Sequence, residues 1–286
     1  MTREEFFIPG KTINCKGKII NLSSPLVMAV MNITPDSFYD GGSYSTPLDA
    51  INKAEKFLNE GADIIDMGAA SSRPGAAIVD PATEQERLMP ALRAVIKQFP
   101  KAVISIDTYH SGTAEMAIEA GAHIINDISA GSIDDQMFET VARLKVPYIM
   151  MHMQGRPDNM QQNPQYKSLT REVIRFFSER VQKLKNLGVH DIIIDPGFGF
   201  GKTLEHNYQL LSDLEYFRIF ELPLLVGFSR KSMICKVLGV PPAAALNGTT
   251  VLNTIALTRG ADILRVHDVR EAREAIKIVG FFKKQR

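Results

Sequence analysis

Apolar residues along this chain fall into eight short runs, each closed by a polar residue. Four of them read LVMAVMN (26–32), AVISIDT (102–108), VPYIMMH (146–152) and LPLLVGFS (222–229). The other four share a longer pattern: EGADIIDMG (60–68), AGAHIINDI (120–128), RGADILRVHD (259–268) and the looser LGVHDIIIDPG (187–197). A glycine just past a helical pattern is the left-handed residue that ends a helix, and the β-branched run after it is too short for a second helix. Each copy therefore predicts a helix stop, a tight turn, a buried parallel strand, and a polar group at the strand's C-terminal end.

Segments of helical period lie between the runs. Over 46–61, Thr46 caps, Pro47 suits the first turn, Ile51, Ala54, Phe57 and Leu58 form a stripe, and Gly61 stops the helix. Over 83–99, Thr83 and Glu86 form a capping box, and Leu88, Leu92, Val95, Ile96 and Phe99 share a face. Pro90 predicts a kink or a restart there. Segments 168–187 and 268–282 read as longer amphipathic helices, and Asn14–Lys18 reads as the turn of an N-terminal hairpin. Eight β-α units in 286 residues predict an α/β fold, a (β/α)8 TIM-type barrel with that hairpin plugging its bottom. The competing arrangement is a doubly wound open sheet. One domain spanning 1–286 is expected, since no linker or low-complexity stretch interrupts the pattern.

Composition narrows the function. With 45% hydrophobic and 23% charged residues the chain has the makings of a soluble globular protein with a sizeable core. A net charge of +1 offers no surplus to displace counterions, so a general nucleic-acid binder is excluded while a local anion pocket is not. No stretch approaches the ~18 apolar residues of a membrane span, and MTREEFFIPGK has no signal-peptide core. A cytoplasmic protein with no membrane partner is expected. Cys15 and Cys235 have no metal-ligand spacing and read as packing thiols.

In a (β/α)8 barrel the site lies at the C-terminal ends of the strands. Those positions hold Asn32, Asp66, Asp107, Asn126, Asp127, His152, Asp195, Ser229, Arg265 and His267. Taken singly, Asp66 and Asp127 read as caps or satisfied turn residues. The whole ring converging on one mouth reads as a binding site. Within it, IIDPGFGFGKT (193–203) nearly spells a P-loop, G-x-x-x-x-G-K-[ST], but Pro196 stands where the first glycine belongs. Asp195 at the strand end would repel a phosphate. An ionised carboxylate only accepts hydrogen bonds, so it suits a planar ligand edge that offers N–H donors. The glycines let backbone approach that ligand, and Phe200 lies beside it. Anions are handled elsewhere. Arg73 sits in SSRPGA (71–76), Arg265 and His267 end the eighth strand, and FSRKS (228–232) runs into a helix. There Ser229 is placed to cap, with Lys231 and Ser232 in the first turn.

MNITPDSFYDGG (31–42), SSRPGA, SIDT (105–108), IND (125–127), MHMQG (151–155), DPGFGFGK (195–202), SRKS (229–232) and RVHDV (265–269) occur in that order. Together they closely resemble the dihydropteroate synthase family. The resemblance implies transfer of a dihydropterin from 6-hydroxymethyl-7,8-dihydropterin diphosphate to 4-aminobenzoate, with release of diphosphate. It further implies that Asp107, Asn126, Asp195 and Lys231 hold the pterin, packed by Ile128, Met151 and Phe200. Asn32, Arg73, Arg265 and His267 are implied for the diphosphate, Asn32 through Mg2+. Ser232 is implied for the aminobenzoate carboxylate, with Phe38, Ser72 and Pro74 around that second pocket. Asp40 is implied near the reacting carbon, and Arg73, Lys231 and His267 alongside it in catalysis. The family's homodimer and its standing as a sulfonamide target are implied as well. This chain departs where the family usually reads E-S-T-R-P-G, with Ala70 for the acid and Ser72 for the threonine. A pterin-binding methyltransferase domain and a non-catalytic paralogue are the rival readings. Neither has use for the anion ligands, all of which are present. A Schiff-base aldolase is a third, but its lysine belongs on a strand in an apolar pocket. From their composition, the loops 32–45 and 69–80 are expected to be mobile until ligand arrives.

Overall fold

The computed structural model describes residues 11–33, 46–70 and 79–285. The segments 34–45 and 71–78, which carry most of the two loops expected to be mobile, lie outside them, and so do Phe38, Asp40, Ser72, Arg73 and Pro74.

The chain opens with an antiparallel hairpin, β1 (Thr12–Cys15) and β2 (Lys18–Asn21). Lys16 (φ 53°) and Gly17 (φ 90°) both lie at positive φ, which gives the two-residue turn the twist of its strands. Asn14 Oδ1 accepts from the Gly17 amide at 2.7 Å and fixes it. Eight parallel strands follow: β3 (Leu26–Asn32), β4 (Ile64–Gly68), β5 (Val103–Asp107), β6 (Ile124–Asp127), β7 (Tyr148–Met151), β8 (Ile192–Asp195), β9 (Leu225–Val226) and β10 (Ile263–Val266). Their order is β8-β7-β6-β5-β4-β3-β10-β9, and a parallel bridge from Ile194 to Leu224 joins the two ends. That closure makes a barrel and excludes the open sheet. All four repeat copies enter their strands through a glycine at positive φ: Gly61, Gly121, Gly188 and Gly260.

The strand pleat divides the core in two. Outward positions such as Val27, Ile65, Ile104, Ile125, Ile194 and Leu264 pack under the helices. These are α1 (Pro47–Glu60), α2 (Pro81–Gln98), α3 (Ser111–Glu119), α4 (Met137–Leu144), α5 (Leu169–Asn186), α6 (Leu204–Ser212), α7 (Ser232–Leu238), α8 (Leu246–Thr258) and α9 (Val269–Lys283). Inward positions Met28, Ile64, Val103, Ile124, Ile149, Ile193, Leu225 and Ile263 form a separate apolar layer. Ile13, Cys15 and Leu22 of the hairpin region join that layer, so the hairpin does plug the barrel's lower end. Two residues further along six of these strands, the inward positions become Asp66, Ser105, Asn126, Met151, Asp195 and Arg265, with Val30 and Gly227 on the other two. A dry floor thus lies directly under a polar mouth.

Two helix expectations need correction. The second helix begins at Pro81, not after Thr83: Asp80 caps it, accepting from the Thr83 amide at 3.0 Å, and Pro81 takes the first position, where its missing N–H goes unused. Pro90 does not restart the helix, which stays one element from Pro81 to Gln98. No helix among the described residues is long and apolar enough to cross a membrane.

Asp127 keeps the bland role read for it. It is fully buried and accepts four hydrogen bonds, each at 2.7 Å, from the Ser129 amide and hydroxyl, the Gly131 amide and the Tyr148 hydroxyl. Burial raises its pKa and these donors work against that rise. Tyr148→Phe deletes one donor from a buried carboxylate and is expected to lower stability by about 1–3 kcal/mol. Urea unfolding measures the loss, and an unchanged midpoint would show that the other three donors suffice.

Candidate active site

The polar mouth is organised around Arg265, the inward residue of β10. Its Nε donates to Asp66 Oδ2 at 2.7 Å and its Nη2 to Asp107 Oδ2 at 2.6 Å. The same Asp66 oxygen accepts from Asn126 Nδ2 at 3.0 Å. Four strands, β4, β5, β6 and β10, thus share one network. Burial works against the Arg265 charge, yet Asp66 and Asp107 together hold its pKa above the ordinary value. Burial pushes Asp107 up to about 7, against the pull of Arg265, with Asp66 and Glu84 adding to the rise. Asp66, read from sequence as a cap, is in fact the link that fixes both Arg265 and Asn126.

Across the mouth, Asp195 ends β8. It is buried, and its Oδ1 accepts from the Gly197 amide at 2.8 Å. Burial raises its pKa while Lys231, that amide, Arg265 and Lys202 draw it down. Lys231 Nζ donates to the Phe198 carbonyl at 2.5 Å and lies 4.7 Å from the Phe200 ring centroid. Burial lowers its pKa to about 8, with Asp195 opposing the shift. Beside this polar ring stands an apolar cluster of Tyr109, Ile128, Met151, Met160 and Phe200, with Ala70 and Met153 packed on it. Ile128, Met151 and Phe200, assigned separately from three motifs, therefore meet on one surface.

His267 and Ser229 form a pair at the rim, His267 Nδ1 and Ser229 Oγ lying 2.9 Å apart. Ser229 does not cap the following helix. Lys231 occupies the N-cap position, and exposed Ser232 is the first residue of α7. Arg230 turns away from the mouth's centre and clasps Asp268 with Nε at 3.0 Å and Nη2 at 2.7 Å. Asn32 closes β3 half-buried, in register with Gly68.

The near-P-loop is no phosphate cradle. Gly197 has φ 72°, and a Cβ there would stand 1.9 Å from the His152 carbonyl oxygen. Only glycine lets the loop press against the end of β7 this closely. Lys202, in the P-loop lysine's place, is buried among protein acceptors. Sequence reasoning also missed Tyr109 and Met160. Tyr109 directly follows the SIDT motif, which was a usable signal. Met160 comes from a long loop and had none.

A (β/α)8 barrel with acceptors and donors for a heterocycle edge, an apolar wall for its face and cations at the rim is the architecture of a pterin-binding enzyme. The family model described as "Pterin binding enzyme" matches residues 28–267. The chain belongs to that family, and within it to the dihydropteroate synthases, which are transferases. It is 44% identical to the dihydropteroate synthase of Escherichia coli (strain K12) over 266 residues, 92% of this chain and 94% of that one. With the enzyme of Synechocystis sp. it shares 42% identity, covering 88% of each. Among solved structures it resembles the Yersinia pestis dihydropteroate synthase in a sulfonamide drug complex, at 41% identity and a TM-score of 0.92, over 96% of this chain and all of that one. It also resembles the Xanthomonas albilineans enzyme with 4-aminobenzoic acid, at 35% identity and a TM-score of 0.89, over 96% of this chain and 98% of that one.

Proposed function

We propose that this protein, acting as one barrel domain in the cytoplasm, condenses 6-hydroxymethyl-7,8-dihydropterin diphosphate with 4-aminobenzoate, giving 7,8-dihydropteroate and diphosphate. The observation that carries this reading is the convergence of Asp107, Asn126, Asp195 and Lys231 with the Ile128, Met151 and Phe200 surface on one mouth. The first group matches the pterin's polar edge and the second its flat faces.

Departure of diphosphate leaves a methylene carbon whose positive charge the electron-rich dihydropterin delocalises. A dissociative displacement follows: the C–O bond breaks, the aryl amine attacks, and its proton is lost. Catalysis comes from contacts that strengthen as charge gathers on the leaving oxygens. Arg265, His267 and Arg73 take that role. Arg265 commits Nε and Nη2 to carboxylates, which leaves its Nη1 N–H groups for an oxyanion. Asn32 would hold Mg2+ through its side-chain carbonyl, a single hard, neutral oxygen of the kind that ion accepts. The chemistry such an ion would supply there is neutralisation of charge on the diphosphate. Lys231 serves both the pterin and the charge balance. Ser232, Phe38, Ser72 and Pro74 receive the aminobenzoate, and Asp40 approaches the reacting carbon.

A coupled assay of diphosphate release, omitting each substrate in turn, tests the reading: release is expected only with both, and none with both would end it. Binding order is open to titration. Aminobenzoate is expected to bind more tightly with diphosphate and Mg2+ present than alone, because the residues assigned to its pocket adjoin those assigned to the anion. Equal affinity would remove the ordered scheme. We also propose a homodimer through adjacent α7, α8 and α9, whose Val237, Val251, Ile278 and Phe281 are all exposed. Sedimentation of a monomer at micromolar concentration would refute it.

A further inference from the structure

The glycine-rich loop after β8 is held in an unusual way. Each backbone carbonyl from Gly197 to Gly201 accepts a hydrogen bond from a side chain. Lys202 Nζ donates to Gly197 at 2.9 Å and to Phe200 at 3.0 Å. Lys231 Nζ donates to Phe198, Gln161 Nε2 to Gly199, both at 2.5 Å, and the Tyr166 hydroxyl to Gly201 at 2.8 Å. Five glycine-dense residues have little conformational preference of their own. Donors from outside the loop replace that missing preference, and two of them come from the segment that follows β7.

Lys202 is the centre of this arrangement. An ammonium has three protons to give, and three acceptors lie close: the Gly197 and Phe200 carbonyls and His152 Nδ1 at 3.0 Å. The His152 carbonyl is a longer fourth contact at 3.4 Å. His152 must be neutral to accept at Nδ1, which places its proton on Nε2. Its ring is buried, edge-to-face with Phe176 at 4.7 Å, and burial together with Lys202 holds its pKa well below the ordinary value. With its protons committed, Lys202 has none left for a substrate.

What Lys202 fixes is the loop's placement relative to Asp195 and Phe200. Gly197, whose carbonyl it holds, gives its own amide to Asp195 Oδ1. Phe200, whose carbonyl it also holds, supplies the ring under Lys231. We propose that Lys202, with neutral His152 as its acceptor, is a positioning residue that sets the Asp195 carboxylate and the Phe200 ring for the pterin without touching it. The inference rests on the proposed pterin site.

The test measures binding of 6-hydroxymethyl-7,8-dihydropterin by calorimetry and the two KM values by the coupled assay. Lys202→Met keeps an unbranched side chain and removes the charge and its donors. Folded by circular dichroism, it is expected to bind the pterin about tenfold to a hundredfold more weakly, with the pterin diphosphate KM raised in step and the aminobenzoate KM unchanged. Equal rises in both KM values, or wild-type pterin affinity, would overturn the assignment. Should Lys202→Met not fold, His152 supplies the second comparison. His152→Leu removes the acceptor, whereas His152→Asn puts an amide oxygen where Nδ1 stands. Weakened pterin binding in His152→Leu restored in His152→Asn supports the proposal, and the same affinity in both variants refutes it. A wild-type protein that binds no pterin would remove the proposed function itself, whereas wild-type binding matched by Lys202→Met removes only this inference.

Discussion

Asp195→Asn is expected to lose most of the protein's affinity for the pterin while keeping its fold. The carboxylate is buried at the end of β8, and Gly197 already occupies Oδ1. Oδ2 is the oxygen for a ligand N–H. Asparagine keeps the shape, but with its oxygen turned to the Gly197 amide it points NH2 at the ligand's donor. Such a mismatch costs at least about 1–3 kcal/mol, and more where a charge is lost. That is about tenfold to a hundredfold or beyond in affinity. Calorimetry showing wild-type affinity would rule the role out.

The same residue predicts a pH dependence whose sign follows from its raised pKa. A carboxyl group that holds its proton more tightly when folded favours the fold most below the ordinary carboxylate value. That contribution is lost as pH rises through the raised one. Above it, the empty protein carries a buried, under-partnered anion that pterin N–H groups relieve. Stabilisation by pterin, read as the rise in Tm, is therefore expected to grow as pH rises above the ordinary carboxylate range in the wild type. Asp195→Asn is expected to flatten that growth, and an equal pH response in both proteins would assign it to another group.

The barrel was legible because its rule is local. Glycine, a small residue and a β-branched run suffice to end one helix and start one buried strand, and the chain repeats them four times. The strand-end ring followed from the same register, since the polar residue comes five positions after the glycine in three copies and seven after it in the looser fourth. What the sequence hid were links between strands. Asp66 looks like any terminal carboxylate until β10, about 200 positions later (199 from Asp66 to Arg265), brings a guanidinium to it. Lys202 shows only as the lysine of a near-P-loop, because its acceptor, His152, lies on another strand end 50 positions earlier. The start of α2 was a different kind of miss. Asp80-Pro81 carries a complete N-terminal signal, but Thr83 three residues on is an equally good cap type, and the proline should have decided between them.

Asp66→Ala is expected to be the more damaging change to the protein as a whole. One buried oxygen accepts both Arg265 Nε and Asn126 Nδ2, so its removal strands two donors on two strands. Taking one partner from a buried ion pair costs about 3–5 kcal/mol, a large share of a native stability on the order of 5–15 kcal/mol. Arg265 keeps only Asp107, which holds Nη2 and leaves the fork free to pivot about that contact. Asn126 loses the contact that orients its amide. Pterin and diphosphate affinities are both expected to fall, in contrast to Asp195→Asn, which spares the anion. Asp66→Asn retains an oxygen at that position and is expected to lie between wild type and alanine in both respects. Urea unfolding of the free proteins, paired with separate titrations of pterin and diphosphate, tests this. Stability within about 0.5 kcal/mol of wild type, the range of an ordinary surface change, would show that the shared oxygen is not what holds the mouth together.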